Sequence, residues 1–150
     1  MHSTLFRTNL TCRLVFIGLT ILLLQCDQGD NRHKGENIAV LQGSWKSDSI
    51  YTFYNGFGFT RHDVEDEPLI HYQSDGTLKM TKGKESRAFS YRVQDNDSLL
   101  HSNRNEQILE KFLIVKLDQD KLVLKKGMRP IFRGKNQERY EIWYFSKVKE

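Results

Sequence analysis

The sequence predicts an all-β fold, a single antiparallel up-and-down β-barrel of about eight strands. Two observations carry this. Across residues 41–150, short runs rich in aromatic and β-branched residues alternate with clusters of Asp, Asn, Ser and Gly, and no stretch keeps a helical period over three turns. Sequential hairpins left as an open sheet would expose two long strand edges, and closing the sheet on itself removes both. No repeat of solenoid or propeller length is visible.

In order, the strand runs fall at 45–54, 69–73, 77–81, 87–94, 98–102, 107–117, 121–126 and 139–148. Three tight hairpins are marked by Ser74-Asp75-Gly76, Asp95-Asn96-Asp97 and Asp118-Gln119-Asp120, because Asp, Asn and Gly tolerate positive φ or bond their own backbone. The first and last connections are long, covering 55–68 and 127–138. In a meander, odd-numbered connections share one end of the barrel, so one end is elaborate and the other plain. The elaborate end is the candidate ligand mouth. It is expected to contain Phe57, Phe59, Arg61 and His62 from the first long connection, with Met128, Arg129, Ile131, Phe132 and Arg133 from the last. Phe57 and Phe59, interleaved with Gly56 and Gly58 on a loop, are expected either to touch a ligand or to fold back as a lid. Trp45, Tyr51, Phe53, Phe89, Tyr91, Phe112, Trp143 and Phe145 read instead as barrel filling or barrel wall.

The N-terminus is a delivery label. Arg7 and Arg13 precede an apolar run at 14–24 that ends in Leu23-Leu24-Gln25-Cys26 and changes abruptly to Asp27-Gln28-Gly29-Asp30-Asn31, the layout of a bacterial export signal. As a helix the run reaches about 17 Å against a hydrocarbon core of about 30 Å, too short for a stable anchor. Leucine at the third position before a cysteine resembles the lipobox of bacterial lipoproteins, with Gln25 where the common pattern has Gly, Ala or Ser. That resemblance implies removal of 1–25, lipid on Cys26, a flexible tether over 26–40 and a folded domain over 41–150. The implied location is the cell envelope, lipid-anchored at the outer membrane.

With Cys12 in the discarded segment and Cys26 lipidated, the domain has no cysteine for a disulfide, a zinc site or a nucleophile. Two of the 23 basic residues and none of the 19 acidic ones precede Cys26, leaving 21 against 19, a net +2. Acids interleave with the bases, so nucleic acid is not an expected partner. Neither a Gly-x-Ser-x-Gly elbow nor a phosphate loop is present, and no enzyme activity or cofactor is expected. His62, Asp63, Glu65 and His71 lie near one another in sequence, but their spacing is not that of a metal site, and none is expected. The acidic cluster Asp63, Glu65, Asp66 and Glu67 reads as a solvated loop, with weak calcium binding as the minor alternative. Two triplets, Asp48-Ser49-Ile50 and Asp97-Ser98-Leu99, resemble a short O-glycosylation acceptor pattern and read first as ordinary strand and turn.

Gly43-Ser44-Trp45 resembles the Gly-x-Trp signature of lipocalins. Later phrases are similar to those of lipocalin-like lipoproteins of Bacteroidota-type bacteria: His71-Tyr72-Gln73-Ser74-Asp75-Gly76-Thr77-Leu78, Phe112-Leu113-Ile114-Val115-Lys116-Leu117 and Tyr140-Glu141-Ile142-Trp143-Tyr144. In lipocalins the signature tryptophan closes the barrel floor under a basic residue from the end of the last strand. The resemblance therefore implies that Gly43, Trp45 and Lys147 form this structural signature, Lys149 being the other positional match. It also implies a membrane-anchored protein that binds a small, partly apolar ligand in the barrel mouth. Because the tether enters at the plain end beside Trp45, that mouth is expected to face away from the lipid. The alternative is a surface interaction module with a filled core whose long loops engage an envelope protein or a glycan. A pocket of several hundred cubic ångströms would mark the binder, and a filled interior the scaffold.

Overall fold

The computed structural model describes residues 38–131 and 137–149. The strands are β1 (Gly43–Tyr54), β2 (Phe57–Arg61), β3 (Leu69–Tyr72), β4 (Thr77–Lys82), β5 (Glu85–Gln94), β6 (Ser98–Ser102), β7 (Ile108–Leu117), β8 (Lys121–Gly127) and β9 (Arg139–Lys147). From β3 to β9 each strand pairs antiparallel with the next, and β9 returns to pair with β1, closing the sheet. The result is a closed up-and-down antiparallel β-barrel.

Nine segments fill eight barrel positions because β2 and β3 share one. The first half of β1 pairs with β3 (Trp45 opposite Ile70), and the second half pairs with β2 (Tyr54 opposite Phe57, Ile50 opposite Arg61). Residues 62–68 form a strap between these two half-strands. The expected long loop at 55–68 is therefore corrected to a two-residue turn, a strand and a strap. Asn55 and Gly56 take positive φ, +46° and +91°, the left-handed pair that a tight hairpin of right-twisted strands requires. On the outer face the Tyr51 ring covers Gly58, where an added Cβ would lie 2.1 Å from the Tyr51 hydroxyl.

The three acidic turns form at the plain end. Asp75 Oδ1 accepts the Thr77 N–H, and Asp118 Oδ1 accepts those of Asp120 and Lys121. Asp95 and Asn96 both adopt positive φ. The elaborate end collects the Asn55-Gly56 turn and the β8–β9 connection. There the Asn55 N–H donates to the Glu138 carbonyl and the Glu138 N–H to Asn55 Oδ1.

The plain end is closed by the N-terminal segment. A helical turn at 38–41 places Leu41 in the core with Ile38 packed against it, so the folded part begins before residue 41. Trp45 is fully buried, and its Nε1–H donates to the Leu41 carbonyl at 2.7 Å. Lys147 stands opposite Trp45 in register. Its Nζ lies 5.0 Å from the indole centroid and donates to the Val40 carbonyl at 3.0 Å. Gly43 takes φ +115°, and a Cβ there would lie 2.8 Å from the Lys147 stem. Both the backbone angle and the passing lysine thus require glycine. Above this floor Tyr72, Leu78, Leu99, Leu122, Leu124 and Phe145 fill the lower half of the interior.

Truncating Trp45 to Ala is expected to cost about 3–5 kcal/mol of unfolding free energy. Lys147→Met, which keeps the stem but loses the ammonium, is expected to cost about 2 kcal/mol. Urea unfolding of the two variants beside the parent protein measures both.

Candidate functional site: a cavity above the packed floor

Strand alternation decides what the upper interior contains. Inward positions run Leu122, Leu124, Lys126 along β8 and Phe145, Trp143, Glu141 along β9. On β7, Phe112 is followed toward the elaborate end by Glu110. Every one of these series passes from apolar to charged. The charged groups pair with one another: Lys126 with Glu110, and Arg61 Nη2 with Glu67 Oε1 at 2.8 Å. Trp143 Nε1–H donates to Glu141 at 3.1 Å.

Between the apolar floor and these charges lies a cavity of about 190 Å3. Its floor and walls are Ile70, Met80, His101, Phe112, Leu124, Trp143 and Phe145, with Glu110 at one side and Glu67 and Pro68 of the strap closing another. The strap is held in place by one buried side chain and three hydrogen bonds. Val64 is buried, the Glu67 N–H donates to the Val64 carbonyl, and Arg61 reaches both Glu67 and the Asp63 carbonyl. A second cleft of about 260 Å3 is lined by Pro68, Met80, Lys82, Glu85, Arg87 and Phe89. Pro68 and Met80 belong to both linings, so the cleft adjoins the cavity beneath the β4–β5 hairpin.

His101 is the polar element of the cavity floor. Its Nε2 lies 3.0 Å from the Tyr72 hydroxyl, and its ring is flanked by Tyr72 and Phe112. Nδ1 has no partner. If the Tyr72 hydroxyl donates to Nε2, only the Nδ1–H is left unpaired, whereas the reverse arrangement would strand both the phenol proton and Nδ1. Burial, with the nearby Lys126 ammonium second, lowers the imidazole pKa to about 4, so the ring is neutral at physiological pH. Burial, then Tyr91 and Glu110, pushes the Tyr72 phenol upward, so it too stays neutral.

The residues expected at the mouth are placed differently. Phe57, Phe59 and Arg61 lie on β2, not on a loop, and Phe57 and Phe59 are 79% and 65% exposed. The lid reading is thereby corrected, since neither ring folds back over the core. Arg61 serves as the strap's clasp, and His62 is exposed at the strap's start. Met128 is half-buried, Arg129 is exposed, and Ile131 is exposed with its N–H bonded to Gln137. Phe132, Arg133 and the lipobox Cys26 lie outside the described residues. Among the described residues, none of the nominated mouth side chains lines the cavity. His71 is bonded to Ser44 through Nδ1 at 2.8 Å, away from His62. Tyr51 and Phe53 sit on the outer face against Tyr140, with Lys125 over that ring.

No protein-family model and no curated protein sequence matches the chain. Among solved structures, it is similar to bovine odorant binding protein in complex with a selenium-containing odorant. That match has 16% identity, a TM-score of 0.43, and covers 76% of this chain and 74% of the other. A deswapped triple mutant of bovine odorant binding protein matches at 13% identity and a TM-score of 0.40, over 74% of this chain and 76% of its own.

The depressed His101 pKa makes stability pH-dependent. Between about pH 6.5 and 4 the unfolded chain binds a proton on this imidazole that the native state does not, so stability is fully present above 6.5 and falls as pH drops toward 4. The loss expected from this group is about 3 kcal/mol. Asp75 and Asp118 have lowered values because they accept turn N–H groups, and their contribution is lost only on further acidification. Urea midpoints from pH 7 to 4 should show the slope, and His101→Phe should flatten it in that window.

Proposed function

We propose that this protein is a carrier or receptor for a small, largely apolar molecule, bound inside the barrel and held at the cell envelope by lipid on Cys26. The observation that carries the reading is the partly enclosed, mainly apolar cavity directly above a fully packed floor. Close packing is the rule for protein interiors, so space walled by Ile70, Leu124, Trp143 and Phe145 calls for an occupant. Its volume of about 190 Å3 lies below the several hundred expected for a ligand mouth, which limits the enclosed part of a ligand to a single ring or a short chain. An apolar cavity of about 150 Å3 suffices for benzene. Neutral His101 adds one polar group to the site without adding a charge.

Anchoring rests on the sequence features around Cys26. The start of the fold supports an orientation: the chain enters at the plain end beside Trp45, so a lipid at the N-terminus leaves the cavity end facing outward. A second reading, contact with an envelope protein or glycan, is favoured by the exposure of Phe57 and Phe59 on β2, whose only strand partner among the described residues is β1.

Native mass spectrometry of the full-length protein purified from its own cell envelope tests the first reading. The expected result is a bound small molecule that organic extraction releases and that Ile70→Phe, which fills the cavity, prevents from binding. A protein that arrives empty and takes up nothing from envelope extracts would favour the contact reading, and loss of partner crosslinks in a Phe57→Ser, Phe59→Ser variant would establish it. Cys26→Ser is expected to move the protein from the membrane fraction to the soluble one.

A further inference from the structure

We infer that the ligand of this cavity is an anionic amphiphile, a medium-length apolar chain ending in a carboxylate or phosphate, and that it enters sideways beneath the β4–β5 hairpin with its head group held by Lys82 and Arg87. The inference rests on the cavity reading above and adds the ligand's charge and its route.

The route follows from which walls are shared. Pro68 and Met80 separate the inner cavity of about 190 Å3 from the open cleft of about 260 Å3 beside it. An unbranched chain with one end near His101 would pass the Met80 side chain and emerge over Phe89. Met80 suits a gate because its thioether side chain is unbranched and re-packs at low cost. Arg87 faces Met80 across the β4–β5 ladder, and Lys82 faces Glu85 at the end of the same ladder. Alternation puts all four on the inner side of the hairpin, and both cations line the cleft.

Charge follows from how firmly each ion pair is made. At the upper side of the cavity, the carboxylates of Glu67 and Glu110 are paired at close range, Glu110 with the part-buried Lys126 and Glu67 with the more exposed Arg61. At the cleft, Lys82–Asp66 and Arg87–Glu85 are each 3.6 Å apart, and all four side chains are well exposed. Such exposed pairs contribute little, so they exchange partners at little cost. An incoming anionic head group can take both cations, and in a bidentate geometry with Arg87. An ammonium head group would meet the two cations of the cleft lining, where Glu85 is the one carboxylate and Asp66 stands outside the lining beside Lys82.

Binding of decanoate, decyl phosphate, decanol and decylamine to the full-length protein, followed by isothermal titration calorimetry below micelle-forming concentrations, tests this. The two anions are expected to bind more tightly than decanol, and decylamine most weakly. Lys82→Gln with Arg87→Gln should weaken the anions about fivefold and leave decanol unchanged, while Lys82→Glu with Arg87→Glu should invert the order in favour of decylamine. A preference for decanoate over decyl phosphate, or the reverse, identifies the source of the head group. If decanol binds as tightly as the anions, or the charge variants leave the order unchanged, the head-group assignment is overturned while the cavity reading stands. If none of the four binds, the amphiphile inference is overturned, and the envelope-extract experiment above decides separately whether the cavity takes any ligand.

Discussion

The barrel depends on the seam where β1 meets β9. A meander of hairpins is made of local pairings, and only the return of β9 to β1 joins residues a hundred positions apart. Nine partners align along this seam from Trp45–Lys147 to Tyr54–Arg139, with one irregularity between Ser47 and Ser49. Trp45 holds its lower end by three interactions at once: a large buried surface, the Leu41 carbonyl on its indole N–H, and the Lys147 ammonium over its ring. The same ammonium bonds the Val40 carbonyl, so the last strand and the incoming N-terminal segment are fixed by one cation. Removing the indole would therefore loosen closure, floor and chain entrance together.

From that floor upward, the interior changes character along β4, β5, β7, β8 and β9, and this change creates the cavity. The lower inward positions are Leu, Phe and Tyr, which interdigitate without space. The upper ones are Lys, Glu and Arg, whose charged ends pair across the barrel and cannot descend into the apolar part without losing solvation. Between these layers some volume is left that neither kind of side chain fills. The Tyr72–His101 pair marks the boundary. It is buried like the layer below and polar like the layer above, and it stays neutral because burial disfavours charge on either ring.

Much of this was legible in the sequence, and the parts that were not have identifiable causes. Strand runs and acidic turns were readable because alternation and turn chemistry are local signals. The division into a plain and an elaborate end followed from connection lengths alone. The β2 strand was obscured because Gly58 interrupts its apolar run and the acidic strap follows directly. A local signal was nonetheless present, since Asn55-Gly56 between two aromatic-rich runs is a strong hairpin marker. The cavity residues were not legible as a site. Ile70, Met80, Phe112 and Leu124 look like any core residue in sequence, and a cavity arises from the relative heights of inward side chains on different strands, which depend on register and bulges. His101 offered a weak signal, as the one histidine in a strand of otherwise small and apolar residues.

The strap explains why the cavity is walled where it is. Nine residue steps from Arg61 to Ile70 face only five on β1, from Ile50 back to Trp45. The surplus chain has to leave the sheet, and it folds against the barrel because Val64 offers an apolar anchor and Arg61 a charged one. Its last two residues, Glu67 and Pro68, then become cavity wall. Proline suits that place, since its fixed φ stiffens the return into β3 and its missing N–H leaves no unpaired donor beside an apolar space. The strap is held by a close ion pair whose carboxylate is largely covered, and the pairs at the neighbouring hairpin are longer and more exposed. Any opening that admits a ligand therefore costs least on the β4–β5 side, where two solvated pairs and the flexible Met80 side chain have to give way.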